Sequence, residues 1–484
     1  MRQRARAGTA WPSRDERSLM FLLFAAAAAL LLLLQEGAIT GSDGQTVYDV
    51  TGAIVERGTI HFGPEYPITP NAASGVGGHL YSKYAVGLSL LAIVPYVVAA
   101  PVSVLMGHDE LVREASVASL VPLICAGVLI AVYAVARRLH ASVRASVLVA
   151  IGTVFGTYLL PYTAEFFSEP FAALGLLISI ERALAKRPGQ AALALGLGAV
   201  FREQMFALAP VLLVFLVHDN GWRSLRSAIP ALVGTLAVAL TWNYARFGDF
   251  TTSGYAKRGE GFTTPPLEGL HRLFLTADKS LFLYAPVTLL LLLAFRHAWR
   301  EYRAVATLIA LYSLITLALV VTWHQPGGGW AWGPRLLLPV VPAAIALLAP
   351  WLDGSTGRYH LAAVLIVLGF VISLPGLVVS MRAQQLDGGH RPSPDIIRQA
   401  ELIPDRAAYS FRHLGTAEKD DHRRWLDLWQ FGAGRELGVK GLLAALPISI
   451  ALAAVAAASG VDARRHVLQL DSRSPGVTPR QGSR

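Results

Sequence analysis

The sequence predicts an all-α, polytopic membrane protein, and three observations carry that reading. The chain has 484 residues, 54% of them hydrophobic and only 15% charged, with a mean hydropathy of +0.48; a soluble domain carries about 25% charged residues. Apolar runs of about 17 to 24 residues recur along it, each long enough to cross a hydrocarbon core of about 30 Å. Lys and Arg collect in the loops between these runs. In such a protein the net charge of +10 marks cytoplasmic loops and anionic headgroups, not nucleic-acid affinity. The lone Cys125 lies in an apolar run, so no intrachain disulfide forms and the thiol reads as a small core residue.

Taken in order, a basic segment over 1–17 with Arg2, Arg4, Arg6, Arg14 and Arg17 precedes the apolar run Ser18 to Leu34. That run is longer than a signal core, and Gln35-Glu36 follows it instead of a small-residue cleavage site. It reads as an uncleaved first helix with the N-terminus cytoplasmic. A first outer loop, 36–83, is expected to carry short surface helices. Further apolar runs lie near 84–106, 115–136, 145–162, 170–184, 189–201, 203–217, 228–245, 280–295, 303–323, 336–352, 359–381 and 440–459. Positive loops at 137–144, 182–187, 223–226, 296–303 and 354–358 belong inside.

The segment 84–106 resists a simple crossing. A single span there would put Arg137-Arg138 outside, and Pro95 and Pro101 interrupt a helix. A broken, re-entrant or surface-lying helix is expected. The multi-span domain then covers 18–381, with about twelve spans, or thirteen if this segment crosses. The short runs on either side of Arg202 suggest a tight hairpin with Arg202 near the outer interface. Phe411, Tyr409, Trp425 and Trp429 suggest that 382–438 forms an outer cap. A last helix is expected over 439–460 and a disordered cytoplasmic tail over 461–484.

On this topology the unusual polar residues fall on one side. Asp43, in Gly41-Ser42-Asp43-Gly44, is a carboxylate just past the first span, suited to take a proton from an acceptor hydroxyl; the plain alternative is a solvated loop acid, and Asp49 competes for the role. Lys83 and Tyr84 open the next apolar segment. There a lysine either snorkels to headgroups or binds a phosphate as a point charge. Glu165 and Glu169 bracket a helix start before Pro170, where acids also complement the helix dipole. Arg202 either pairs with its neighbour Glu203 or aims at a phosphate. The string Trp323-His324-Gln325-Pro326-Gly327-Gly328-Gly329-Trp330-Ala331-Trp332-Gly333-Pro334-Arg335 combines indoles, glycines, a histidine and an arginine. Interfacial anchoring explains its indoles. Close approach of the glycine backbone to a ligand, with Trp330 and Trp332 facing sugar rings or isoprenoid chains, explains more of it. The sequence has no phosphate-binding P-loop, no Asp-x-Asp pair, no zinc-site spacing and no Gly-x-Ser-x-Gly elbow.

In their order along the chain these motifs resemble the bacterial GT-C glycosyltransferases, in the branch of protein-mannosyltransferases and aminoarabinose transferases. The resemblance covers about 36–340 and rests on Asp43 after the first span, Tyr81-Ser82-Lys83-Tyr84, Ser168-Glu169, Phe201-Arg202, the stretch Asp278 to Pro286, and Trp330-Ala331-Trp332-Gly333-Pro334-Arg335. It implies a GT-C-like bundle and inverting sugar transfer from a polyprenyl-phosphate donor to a lipid, glycan or protein acceptor. The reaction would take place at the outer face of the plasma (inner) membrane. Asp43 would be the base; Lys83, Arg202 and Arg335 would hold the lipid phosphate; Glu165 and Glu169 would touch acceptor, sugar or metal, a divalent cation being left open. The sequence departs from the family where paired acids become Asp43-Gly44 and a Lys-Pro-Pro-like element becomes Lys83-Tyr84-Ala85. A membrane transporter or lipid-linked-sugar flippase is the alternative; it would show paired halves with charges at mid-membrane.

Overall fold

The computed structural model describes residues 12–106, 109–329, 331–378 and 438–473. Helix α1 (Arg14–Leu34) starts with a capping box in which the Ser13 hydroxyl accepts from the Glu16 amide and the Glu16 carboxylate accepts from the Ser13 amide. Its Leu- and Ala-rich body packs on later helices. Helix α2 (Ser42–Arg57) is too polar to span; it begins directly after Gly41 and carries Asp43 in its first turn. A two-stranded antiparallel ribbon, β1 (Ala72–Ser74) and β2 (Leu80–Ser82), pairs Ala72 with Ser82 and Ser74 with Leu80.

Four helices follow: α3 (Gly87–Met106), α4 (Asp109–Ala118), α5 (Leu120–Arg138) and α6 (Val143–Phe155). The centre of the bundle is α7 (Glu169–Leu184), packed between α5 and α8 (Pro188–Phe201). Glycine makes this contact possible: a Cβ on Gly175 would stand 2.7 Å from the Cα of Gly198. Helix α9 (Ala209–Asn220) and α10 (Leu225–Phe247) return across the bundle. The segment after α10 then holds α11 (Gly254–Lys257) and α12 (Pro266–Leu275). After it come α13 (Leu281–Tyr284), α14 (Leu291–Glu301), α15 (Arg303–Thr322), α16 (Val341–Ala346), α17 (Leu348–Leu352), α18 (Thr356–Val378) and α19 (Gly438–Arg473), which lies along α1.

Among the described residues seven helices are long and apolar enough to cross a membrane, and three shorter apolar helices, Val143–Phe155, Pro188–Phe201 and Val341–Leu352, complete the bundle. The fold is the all-α membrane architecture expected, with its apolar runs divided more unevenly than their lengths suggest. Short 3-10 turns at Pro161–Thr163, Glu203–Leu208, Pro286–Leu290 and Arg335–Leu337 split several of them.

Two expectations need correction. The segment 84–106 is not broken: α3 runs through Pro95 and Pro101 as one 20-residue helix. Each proline forfeits a single backbone bond, whereas unwinding in hydrocarbon would strand many. The tail is not disordered from 461: α19 continues to Arg473, with Ala463 buried and Asp471 paired to Arg144 at 3.3 Å. The expected cap over 382–438 lies outside the described residues, apart from Gly438 at the start of α19.

Candidate active site

Helix α7 sets the frame. Glu169 is its first residue, after Ser168 at the N-cap and before Pro170. Fully buried, Glu169 sits where a helix N-terminus favours negative charge. Its Oε1 accepts from Arg202 Nη1 and from Arg335 Nε, the latter at 2.5 Å. Arg202 stands in extended backbone between α8 and the next turn, so the reversal aims its side chain back at α7. The side-chain oxygen of Gln204 accepts from Arg202 Nε at 3.0 Å and Nη2 at 2.7 Å. Arg335 lies on the face of Phe167, its guanidinium carbon 3.8 Å from the ring centre, and reaches onward to Asp43 Oδ2 through Nη1 at 2.8 Å.

Asp43 is thus the open end of a chain of charges. Its other oxygen accepts from Asn71 Nδ2 at 3.3 Å, and Asn71 Oδ1 accepts from the Tyr84 hydroxyl at 2.8 Å. The Asp43 side chain remains 26% exposed, so it can meet a ligand. Burial would raise its pKa, but the charges of Arg335 and Lys83 and hydrogen bonding from Tyr84 and Arg335 outweigh it and hold the carboxyl below its ordinary 3.8. Burial and the Asp43 charge push the Tyr84 phenol well above its usual value, so it stays a neutral donor. Burial would lower Arg335, but Glu169 and Asp43 raise it instead.

A cavity of about 390 Å³ opens over these groups, lined by Asp43, Tyr84, Arg202, Arg335 and a wall of Phe166, Phe167, Phe201, Tyr255, Phe262 and Trp323. Glu260, from the segment after α10, lines its far side. It pairs with Lys83 at 2.8 Å and lies 3.8 Å from His324 Nε2. Burial lowers the His324 pKa; Glu260 opposes this and Lys83 reinforces it. The His324 amide donates to Gly261 O at 2.8 Å and the Thr264 amide to Thr322 O at 3.1 Å, tying this segment to the end of α15. Lys83 and Tyr84 are set by α10: the fully buried Arg246 donates to Ser82 O at 2.5 Å and Tyr84 O at 2.9 Å, and Trp242 Nε1 donates to Tyr84 O at 3.2 Å. The cavity therefore combines a partly exposed carboxylate, two guanidiniums and a wall of aromatic faces.

The family model described as dolichyl-phosphate-mannose-protein mannosyltransferase matches residues 111–244. Two crystal structures of ArnT from Cupriavidus metallidurans are similar to this chain. The one bound to undecaprenyl phosphate has a TM-score of 0.51 at 13% identity, and the apo form 0.50 at 12%; each match covers 93% of this chain and 76% of that one. The fold is that of the GT-C glycosyltransferases. No curated protein matches the sequence.

Within the GT-C fold the expected site residues divide. Asp43, Tyr84, Arg202 and Arg335 come together at the cavity. Glu169 lies beneath it as the shared anion. Of the two alternatives for Arg202, the pairing with Glu203 does not form; Glu169 is its carboxylate partner. Lys83 and His324 meet at Glu260 on the far side. Glu165 is buried and is not part of the cavity wall. Trp332 is 3% exposed, edge-on to Tyr284 and against Gly376, with its carbonyl accepting from the Tyr162 hydroxyl at 3.0 Å; it is a core indole. Trp330 lies outside the described residues. The glycines at 328 and 329 have φ of 76° and 71° and serve the turn itself, while Lys279 clamps the loop by donating to Gly329 O and Ala331 O.

Asn71, Tyr255 and Glu260 escaped the sequence reading because none sits at a hydrophobic boundary; Gln204 escaped it although it stands at the start of the 203–217 run. Asp49, the rival base, is engaged by Gln45 at 3.0 Å and Tyr66 at 3.0 Å and is absent from the cavity wall. Among the described residues no group of three or more His, Cys, Asp and Glu side chains could hold a metal ion. Glu169 spends one oxygen on two guanidiniums and keeps the other buried without a hydrogen-bond partner, while Asp43 is held by Arg335 and Asn71.

Proposed function

We propose that this chain is an inverting glycosyltransferase that moves a sugar from a polyprenyl-phosphate carrier to an acceptor hydroxyl at the outer face of the plasma membrane. The N-terminus would be cytoplasmic, and the acceptor a lipid, glycan or protein. The observation that carries the reading is Asp43: an ionised, partly exposed carboxylate at the mouth of an aromatic cavity, one hydrogen bond from an arginine. The GT-C fold supports it, as does the undecaprenyl phosphate bound by the similar ArnT structure.

In this reaction Asp43 accepts the proton of the acceptor hydroxyl as its oxygen attacks the anomeric carbon from the face opposite the phosphate. The bond from that carbon to the phosphate oxygen breaks, and the leaving polyprenyl phosphate keeps the electron pair. Lys83, Arg202 and Arg335 supply the positive potential for the growing charge. Because each is already paired with Glu260 or Glu169, the phosphate must win a cation from a carboxylate. That requirement favours a dianionic leaving group over a neutral ligand. The aromatic wall suits a sugar ring or the first prenyl units.

The test is sugar transfer in proteoliposomes supplied with a panel of polyprenyl-phosphate sugars and membrane extract as acceptor source. Transfer by wild type and not by Asp43→Asn supports the reading. Equal transfer by both would remove Asp43 as the base, and no transfer with any donor would remove the enzyme reading itself.

A further inference from the structure

The cavity wall holds a carboxylate that the proposed reaction does not use. Glu203 opens the 3-10 turn Glu203–Leu208, directly after Arg202 in extended backbone, and lines the cavity with Phe201 and Tyr255. The other acids around the cavity are each spent on a cation: Asp43 on Arg335, Glu260 on Lys83, and Glu169 on Arg202 and Arg335. Glu203 makes no ion pair among the described residues. What acts on it is a hydrogen bond from Asn243 and the charge of Arg246.

Arg246 is fully buried and spends its N–H groups elsewhere. Its Nε donates to Trp242 O at 3.3 Å, Nη1 to Ser82 O and Tyr84 O, and Nη2 to Asn243 Oδ1 at 2.6 Å. Asn243 therefore turns its amide nitrogen to Glu203. The charge of Glu203 is balanced by Arg246 through space, but its capacity to accept hydrogen bonds is not filled. An ionised carboxyl has about four acceptor sites, and Asn243 takes one. Burial raises the Glu203 pKa, and Arg246 and Asn243 offset this only in part, as expected of a carboxylate short of donors.

What Glu203 lacks decides what it can take. A phosphate would be repelled by a second anion, and a prenyl chain offers no donor. An ammonium group would meet a carboxylate whose charge Arg246 already offsets. A hydroxyl supplies the missing donor without a charge, and two hydroxyls on adjacent ring carbons fill two sites. Consecutive Cα atoms lie about 3.8 Å apart, so a group at Glu203 is about one ring away from a phosphate at Arg202. That is the place of the transferred sugar, and Phe201 and Tyr255 offer aromatic faces to the same ring. Resting on the glycosyltransferase reading above, we propose that Glu203 selects the donor: its carboxylate accepts from two neighbouring hydroxyls of a neutral transferred sugar. Asn243 holds the carboxylate in position for them.

The probes are sugar-free decaprenyl phosphate and a panel of decaprenyl-phosphate hexoses, each with its single-deoxy and amino-deoxy analogues. Dissociation constants are measured on purified full-length protein by native mass spectrometry. For the hexose that wild type binds most tightly, Glu203→Gln should weaken binding by about tenfold or more and leave the sugar-free lipid unchanged. Deleting the hydroxyl that Glu203 reads should cost wild type a similar factor and cost Glu203→Gln nothing further. Glu203→Asp keeps the charge beside Arg246 but draws the carboxylate back by one methylene. It should lose the sugar preference and still bind the sugar-free lipid. Equal weakening of the sugar-free lipid by Glu203→Gln would make Glu203 only the counter-ion of Arg246 and overturn the proposal. So would a wild-type preference for an amino-deoxy analogue that Glu203→Gln abolishes, or sugar-free lipid binding to which no hexose adds affinity. Binding of none of these lipids would remove the glycosyltransferase reading and this assignment together.

Discussion

Helix α7 has the same ionic motif at both ends and uses it differently. At its start, Glu169 is clamped by Arg202 and Arg335; near its end, Glu181 is clamped by Arg138 and Arg182. The side chains of the first trio are 0%, 9% and 11% exposed, and those of the second 4%, 23% and 34%. In the first, one guanidinium passes its second face to Asp43, so the excess charge is spent inside the cavity. In the second, both guanidiniums are more exposed and no carboxylate of a cavity follows them. An acid between two arginines is therefore not itself a catalytic signature. What distinguishes the two ends is whether a partly exposed carboxylate completes the chain.

The largest effect expected from that difference is at Asp43. Asp43→Asn preserves the side-chain shape but leaves one acceptor oxygen for the two donors Asn71 and Arg335; by removing the proposed base it should lower kcat by about 10²- to 10⁴-fold while the protein stays folded. A kcat within threefold of wild type would show that the Glu169 trio serves structure alone.

Next comes the cost of removing each central acid. Glu169→Gln leaves buried Arg202 with no carboxylate and Arg335 with Asp43 alone, a loss of about 3 to 5 kcal/mol. Glu181→Gln leaves guanidiniums that reach water or headgroups, and should cost about 1 kcal/mol or less. Denaturation of both variants in detergent checks this; equal losses would mean that exposure does not decide the value of the clamp.

Arg335 then links the clamp to pH. The Asp43 carboxyl is depressed below 3.8, so it is ionised at every pH above that value, and the stability it contributes is lost only as pH falls through its folded pKa. Wild-type kcat/KM should show no acid limb from Asp43 above pH 4. In Arg335→Gln the burial contribution prevails, the pKa rises, and an acid limb should enter the profile at higher pH. A profile with the wild-type limb would detach Arg335 from Asp43.

These contrasts also explain what the sequence disclosed. Asp43, Glu169, Arg202 and Arg335 could be found because each interrupts or borders an apolar run, where a charge is costly and needs a partner. Arg246, fully buried at the end of α10, has no local pattern that separates it from an interfacial cation; only the fold shows it holding the backbone of Ser82 and Tyr84. Asn71 and Glu260 lie in polar loops, where no local pattern separates a ligand group from a solvated one. Trp332 misled for the opposite reason, since an indole beside glycines looks the same whether it faces a sugar or the core. Pro95 and Pro101 suggested a break that the membrane setting suppresses.

The smallest effect expected concerns the far side of the cavity, where Lys83 is held by Glu260 and flanked by the Tyr84 and Tyr255 rings, each 5.5 Å from its Nζ. If a donor phosphate must take Lys83 from Glu260, then Glu260→Gln removes the competitor and an opposing negative charge together. The KM for the polyprenyl-phosphate sugar should fall about two- to fivefold, the range of a partly exposed ion pair, with kcat little changed. Lys83→Gln should raise KM instead, and the double variant should lie near Lys83→Gln because the acid then has no cation to withhold. Added salt should narrow all three differences, since the pair is partly open to solvent. A Glu260→Gln enzyme with a higher KM would instead make this carboxylate a direct ligand of the sugar or acceptor, and the two sides of the cavity would then each bind substrate through an acid.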